Sequence, residues 1–201
     1  MELYDNPASP FCRKVQVVLR ETGQLDEVTP RFAVGSPTAP EQMPVAENPL
    51  GKIPALVRPG GATLYDSRVI CRYLDQRAGA GLYPEPPALW DTLVLEATAD
   101  GIMEAAVLMV YEARCRPEEI RHAPWVAGQW EKITRALDAL EARWMAHLHG
   151  PFGMGQIAAG CALGYLDFRH GDRDWRGGRE SLAAWFLKIS ERDSMAATLP
   201  A

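Results

Sequence analysis

The chain has 201 residues, 47% of them apolar and 23% charged, with a net charge of −5. That length holds one large domain or two small ones around a sizeable core. The mild acidic balance, with no basic stripe, argues against a nucleic-acid partner, and no window nears the roughly 18 apolar residues that would span a bilayer.

The first residues run straight into a strand without a basic, apolar leader, so a cytosolic setting is expected. The cysteines Cys12, Cys71, Cys115 and Cys161 form no Cys-x-x-Cys pair, which suits neither a zinc site nor a secreted disulfide framework. His122, His147, His149 and His170 form no recognisable ligand set, and no metal is expected. His147 and His149 read as solvated residues near a helix end.

In chain order, Glu2–Tyr4 reads as a strand that turns at Asn6-Pro7-Ala8 into a helix from Pro10 to about Thr22. Ser9 suits the N-cap, Pro10 the first helical position and Gly23 the C′ residue. Val15, Val18 and Leu19 supply the apolar face. A second strand lies near Val28–Ala33. The segment Gly35–Asn48, with Pro37, Pro40 and Pro44, reads as a loop. Strands at Pro54–Val57 and Thr63–Tyr65 flank Pro59-Gly60-Gly61 as a hairpin, and Ser67–Arg77 is helical with Val69, Ile70, Tyr73 and Leu74 inward.

Gly- and Pro-rich residues 79–87 read as a linker, dividing domains at 1–78 and 88–201. Beyond it there is only helical periodicity: Ala88–Arg114, with Gly101 as a candidate kink; Trp125–His149, carrying Ile133, Leu137, Leu140 and Trp144; Gln156–Phe168, apolar nearly all round and therefore central; and Glu180–Arg192. Ala123-Pro124 reads as part of the connection before the second of these helices.

The first helical turn leaves amide hydrogens unpaired at the positive end of the macrodipole. A hydroxyl at Ser9 and a thiol at Cys12 stand where an anion, a thiolate included, would be held.

Three stretches together identify the chain as resembling the glutathione transferase superfamily: Ser9-Pro10-Phe11-Cys12-Arg13-Lys14-Val15; Asn48-Pro49-Leu50-Gly51-Lys52-Ile53-Pro54-Ala55-Leu56; and Leu64-Tyr65-Asp66-Ser67-Arg68-Val69-Ile70-Cys71-Arg72-Tyr73-Leu74. They stand in the family's order and separations, as first-helix motif, cis-proline loop and acidic-Ser motif. Asp100-Gly101-Ile102-Met103 and Gly160–Arg169 are most similar to a bacterial, YibF-like branch. The resemblance implies an α/β plus all-α architecture: an N-terminal thioredoxin-like β-α-β-β-β-α domain, then an all-α helical bundle. Where the family commonly begins its central helix with a Ser or Thr cap and an Asp three residues on, this chain has Gly153 and Gln156.

The resemblance also implies a transferase that takes glutathione as co-substrate, without a further cofactor, and acts as a homodimer on a small apolar electrophile. A free thiol titrates near about 8.5, so lowering it two units takes about 2.7 kcal/mol of preferential anion stabilisation. Ser9 would donate its hydroxyl to the glutathione sulfur. Phe11 belongs to the same motif. Ile53, ahead of a cis Pro54, would pair its backbone with the cysteinyl unit, and Lys52 would reach the glycyl carboxylate. Asp66 would meet the γ-glutamyl ammonium, and Ser67 and Arg68 its carboxylate. Cys12 stands as a rival, redox-active residue, and Tyr4 as a third candidate. Met103, Val107, Met109, Tyr111 and Trp125 are candidates for the second-substrate pocket. Arg68, Arg72 and Arg77 offer a surface for a partner's acids. A glutathione-dependent thiol-disulfide reductase or peroxidase, and a non-catalytic glutathione-binding or regulatory protein, are the alternative readings.

Overall fold

Alternation at Glu2-Leu3-Tyr4-Asp5 makes strand β1, which turns Leu3 into the core with no exposed surface. The computed structural model describes residues 1–201 and divides into two units, Met1–Tyr83 with Ala197–Ala201, and Pro84–Ala196.

In the first unit, β1 (Glu2–Asp5) leads into helix α1 (Pro10–Glu21). Cys12, Val15, Val18 and Leu19 are fully buried along α1. Each buried aliphatic side chain contributes about 1.5–3 kcal/mol of transfer free energy, which holds this helix in the core of the first unit. Gly23 follows with φ +67, a conformation that costs glycine little, and the chain enters β2 (Thr29–Phe32). β2 runs parallel to β1 and is exposed along its whole length. Pro30, which has no amide to donate, suits that edge position. β3 (Ala55–Val57) lies antiparallel on the other side of β1, giving the order β2-β1-β3.

The fourth strand expected at Thr63–Tyr65 shrinks to one bridge, Leu56 to Leu64, with both N–H···O distances 2.9 Å. Asp66 is already the N-cap of α2 (Ser67–Ala78), which leaves no length for a strand between the turn and the helix. In α2 the buried residues include Ile70, Cys71 and Leu74, whereas Val69 is 47% exposed. Val69 falls off the stripe that Ile70 and Leu74 define, so its assignment to the inner face is corrected.

The second unit is helical: α3 (Ala88–Cys115), α4 (Ala123–Ala139), α5 (Met145–Leu148), α6 (Met154–Arg169), α7 (Glu180–Ser190) and α8 (Asp193–Ala196). Pro124 opens α4 rather than preceding it, because the first turn needs no amide there. The long helix expected to His149 is interrupted by a π-helical stretch, Leu140–Trp144. Helix α6 is buried from Met154 to Leu166 and packs chiefly on α3. A Cβ on Gly155 would meet Leu95 Cδ1 at 3.0 Å and Leu95 Cβ at 3.1 Å, so the missing side chain sets the closeness of that approach.

Gly153 caps α6 with its backbone alone. Gln156 takes over the rest: its Oε1 accepts from the Gly153 N–H at 3.2 Å, and its Nε2 donates to the His147 and Pro151 carbonyls at 2.8 and 2.9 Å. The longer amide ties the helix start to the preceding turn at two points a carboxylate could not serve, since a carboxylate has no proton to donate.

Candidate functional site

The pairing register brings the three motifs to one end of the first unit's sheet. Antiparallel pairing sets Tyr4 against Ala55 and Leu3 against Leu56, so the C-terminal end of β1 meets the N-terminal end of β3. The Leu56–Leu64 bridge is antiparallel as well. Two residues beyond it, toward that same end, stand Pro54 on one side and Asp66 on the other. The turn after β1, which delivers Ser9, therefore leaves the sheet beside both.

Each motif is held by a short polar side chain. Asn6 accepts from the Ala8 N–H at 2.9 Å and donates to the Ala33 carbonyl at 2.9 Å, while its own carbonyl accepts from the Ser9 N–H at 2.9 Å. Asn48, 2% exposed, accepts from the Leu50 N–H at 3.1 Å and donates to the Lys52 carbonyl at 2.8 Å. Gly51 sits within this loop at φ +58, where a side chain would be strained. Asn48 opens the second motif and Asn6 stands in the turn before the first, and neither is among the expected site residues. An Asn before Pro that can fold its amide over the following backbone is the signal available in sequence.

The Ile53–Pro54 peptide bond is cis. Ile53 is half-buried and Lys52 exposed. Neither the N–H nor the C=O of Ile53 has a partner within the chain. Ser9 Oγ accepts from the Cys12 N–H at 3.3 Å as the α1 N-cap. That bond uses an oxygen lone pair; the hydroxyl proton lies within reach of the Cys12 thiol, whose pKa the Ser9 side chain pulls down. Phe11 is half-buried in the first turn.

Asp66 caps α2 by accepting from the Arg68 N–H at 3.0 Å, and Arg68 Nη2 reaches its other oxygen at 2.9 Å. Burial pushes its carboxyl up, but the Arg68 hydrogen bond and charge, the Arg68 amide and the Lys14 charge outweigh it, so Asp66 is held below the usual carboxylate range. Ser67, the first helical residue, is buried. Lys14 is fully buried on α1. Nothing in the sequence pattern marked it, because a lysine is among the residue types seldom fully enclosed.

The rivals are placed elsewhere. Cys12 is 0% exposed; burial and the neighbouring Asp5 charge push its thiol well above the usual range, and bonds to Ser9 and the Asn6 backbone pull the other way. Tyr4 donates to Glu47 Oε1 at 3.1 Å, tying the strand to the loop that follows β2. Among the helical candidates, Met103 and Met109 are buried, Val107 and Tyr111 half-buried, and Trp125 exposed. The arginines offered to a partner are engaged within the chain: Arg68 with Asp66, Arg72 over the Tyr83 ring at 5.2 Å, and Arg77 with Gln24 and Glu27.

With this geometry in place, comparison with known proteins is decisive for class. The profile of the glutathione S-transferase N-terminal domain matches residues 3–86, and that of the C-terminal domain residues 123–187. The chain belongs to the glutathione transferase family. It is 33% identical over 204 residues to the uncharacterized GST-like protein YibF of Escherichia coli (strain K12), covering 100% of this chain and 98% of that one. It is 50% identical, with a TM-score of 0.97 over 100% of this chain and 98% of the other, to a glutathione transferase family member from Pseudomonas fluorescens Pf-5 solved with bound glutathione. A second structure from that organism, with bound S-(propanoic acid)-glutathione, is 49% identical at a TM-score of 0.92, with 100% of both chains covered.

Proposed function

We propose that this chain binds glutathione at the sheet end where Ser9, Ile53 and Asp66 meet, and activates its thiol for attack on an apolar electrophile. The observation that carries the reading is the unpaired Ile53 N–H and C=O beside the cis Pro54, flanked by Asp66 through the Leu56–Leu64 register. An extended cysteinyl unit satisfies both groups at once, as an added strand would.

The remaining anchors follow from their chemistry. Asp66 is ionised, and can accept from the γ-glutamyl ammonium while keeping Arg68. The Ser67 amide at the start of α2 and the Arg68 guanidinium suit the γ-glutamyl carboxylate. Lys52, exposed on the loop that Asn48 holds, suits the glycyl carboxylate. Ser9 donates its proton to the sulfur and acts as a hydrogen-bond donor, since it cannot ionise near neutral pH. The glutathione-bound Pseudomonas relatives support this reading, and the substituted ligand of the second supports a group carried on the sulfur. Val107 and Tyr111 are proposed to contact the electrophile. A cytosolic homodimer without a further cofactor completes the proposal.

A redox role for Cys12 fits less well, because a fully enclosed thiol beside a carboxylate neither ionises readily nor meets a disulfide. Calorimetric titration with glutathione tests the site: Asp66→Ala is expected to weaken binding by tenfold or more. If the wild type shows no affinity, the proposal fails. Assays against electrophiles, peroxides and mixed disulfides then separate conjugation from reduction, and turnover that survives in Cys12→Ala excludes the thiol.

A further inference from the structure

The first unit contains a cavity of about 320 Å³ beside α1; it shares Asn6 and Pro7 with the turn that leads to Ser9, but Ser9, Ile53 and Asp66 are not in its lining. That volume sits at the small end of the range for ligand pockets. Its body is apolar, formed by Leu25, Val28, Pro30 and Leu199. Its polar end is a stripe on α1, Arg13, Gln16 and Arg20, which recur at i, i+3 and i+7 and so share one face. The only acid in the lining is Asp5.

That acid is already occupied. Asp5 Oδ2 accepts from Gln16 Nε2 at 2.6 Å and Oδ1 from the Asn6 N–H at 2.9 Å. Gln16 Oε1 in turn accepts from Arg20 Nη1 at 2.8 Å, and Arg20 Nη1 also meets the Gln16 carbonyl at 3.0 Å. The Arg20 guanidinium thus bonds within the chain through one nitrogen and presents the others. With both Asp5 oxygens taken by Gln16 and the Asn6 N–H, the half-buried Arg20 guanidinium is the group at that end with donors to offer an anion. Residues 198 and 199 complete the lining: Thr198 Oγ1 takes a long hydrogen bond from Arg13 Nε, 3.4 Å, and Leu199 is 65% exposed.

We propose that this cavity is a second binding site, for a small amphipathic monocarboxylate whose carboxylate meets Arg20 and whose apolar body lies against Val28, Pro30 and Leu199. A neutral alcohol of the same length lacks the head group. A long acyl chain exceeds the space. Glutathione, with three charged groups and little apolar surface, does not suit it. Arg20 lies eleven residues beyond Ser9 on α1, about 16 Å along the helix axis, so a carboxylate on Arg20 leaves room for glutathione at Ser9.

Isothermal titration with sodium octanoate tests this, with and without saturating glutathione. Saturable one-to-one binding that persists with glutathione is expected. Arg20→Gln is expected to weaken it at least tenfold through loss of a charge-assisted hydrogen bond. Leu199→Glu, on an exposed side chain whose replacement leaves the fold intact, is expected to weaken it by placing a like charge in the cavity lining. Octan-1-ol is expected to bind far more weakly than octanoate. The proposal is overturned if octanoate does not bind, if glutathione displaces it, if both variants bind it as the wild type does, or if the alcohol binds equally well.

Discussion

Ser9 serves the helix and the proposed chemistry with different parts of one hydroxyl. Its oxygen accepts the Cys12 amide, and its proton, within reach of the Cys12 thiol, is the one proposed to turn to the glutathione sulfur. Ser9→Ala removes both: stability is expected to fall by about 1 kcal/mol, the usual cost of an N-cap, read from urea unfolding. Conjugation should fall further than that loss explains, with kcat affected more than KM. Ser9→Thr should restore most of the stability, so the two roles can be told apart. Asp5 and Asp66, both carboxylates of the first unit, should respond to pH with opposite signs. Burial pushes Asp5 up, against hydrogen bonds from Gln16, Cys12 and Asn6 and the Arg20 charge. The folded state therefore holds that proton more tightly than the unfolded chain. Its contribution is complete below the unfolded value, about 3.9, and is lost as pH rises through the higher folded value. Asp66, held low, contributes above about 3.9 and loses its contribution as pH falls through the lower folded value. Unfolding free energies measured across the acid range should show Asp5→Asn flattening the decline on the upper side of that window.

At the scale of elements, the start of α6 depends on a residue that replaces the family's usual pairing. Gln156 makes three hydrogen bonds from one buried amide, to Gly153, His147 and Pro151. Gln156→Ala leaves two carbonyls and one amide to find other partners, and about 2–4 kcal/mol of stability is expected to be lost in denaturant unfolding. Gly155→Ala tests the α3–α6 approach independently. The added methyl meets the Leu95 side chain near its root, where it has little freedom to move, and a loss of about 1–3 kcal/mol is expected. Recovery of that loss on also changing Leu95 to Ala would show the contact to be responsible.

For the whole molecule, the proposed homodimer is expected to depend on apolar surface rather than on ion pairs. Arg68, Arg72 and Arg77 already have partners within the chain, whereas Val69 on α2 is 47% exposed. Sedimentation should give twice the chain mass of 22.2 kDa, little changed by salt, and Val69→Asp should shift it toward the monomer. A salt-sensitive dimer indifferent to Val69→Asp would return the interface to the arginines.

Local signals carried much of this protein into view. Ser9 and Pro10 at one helix start, Gly23 after its end, and the Asp66 cap depend on the geometry of a few neighbouring residues, and such rules hold wherever the segment is placed. The motifs at Ser9, Pro54 and Asp66 were legible for the same reason, as short runs with fixed spacing. What their spacing could not state is that they meet. That depends on Leu56 pairing with Leu3 on one side and Leu64 on the other, a register set by contacts between residues far apart in the chain. The outward turn of Val69, the enclosure of Cys12 and Lys14, and the shortened fourth strand were likewise decided by packing, because periodicity proposes a face but only the neighbouring elements determine which side chains lose their water.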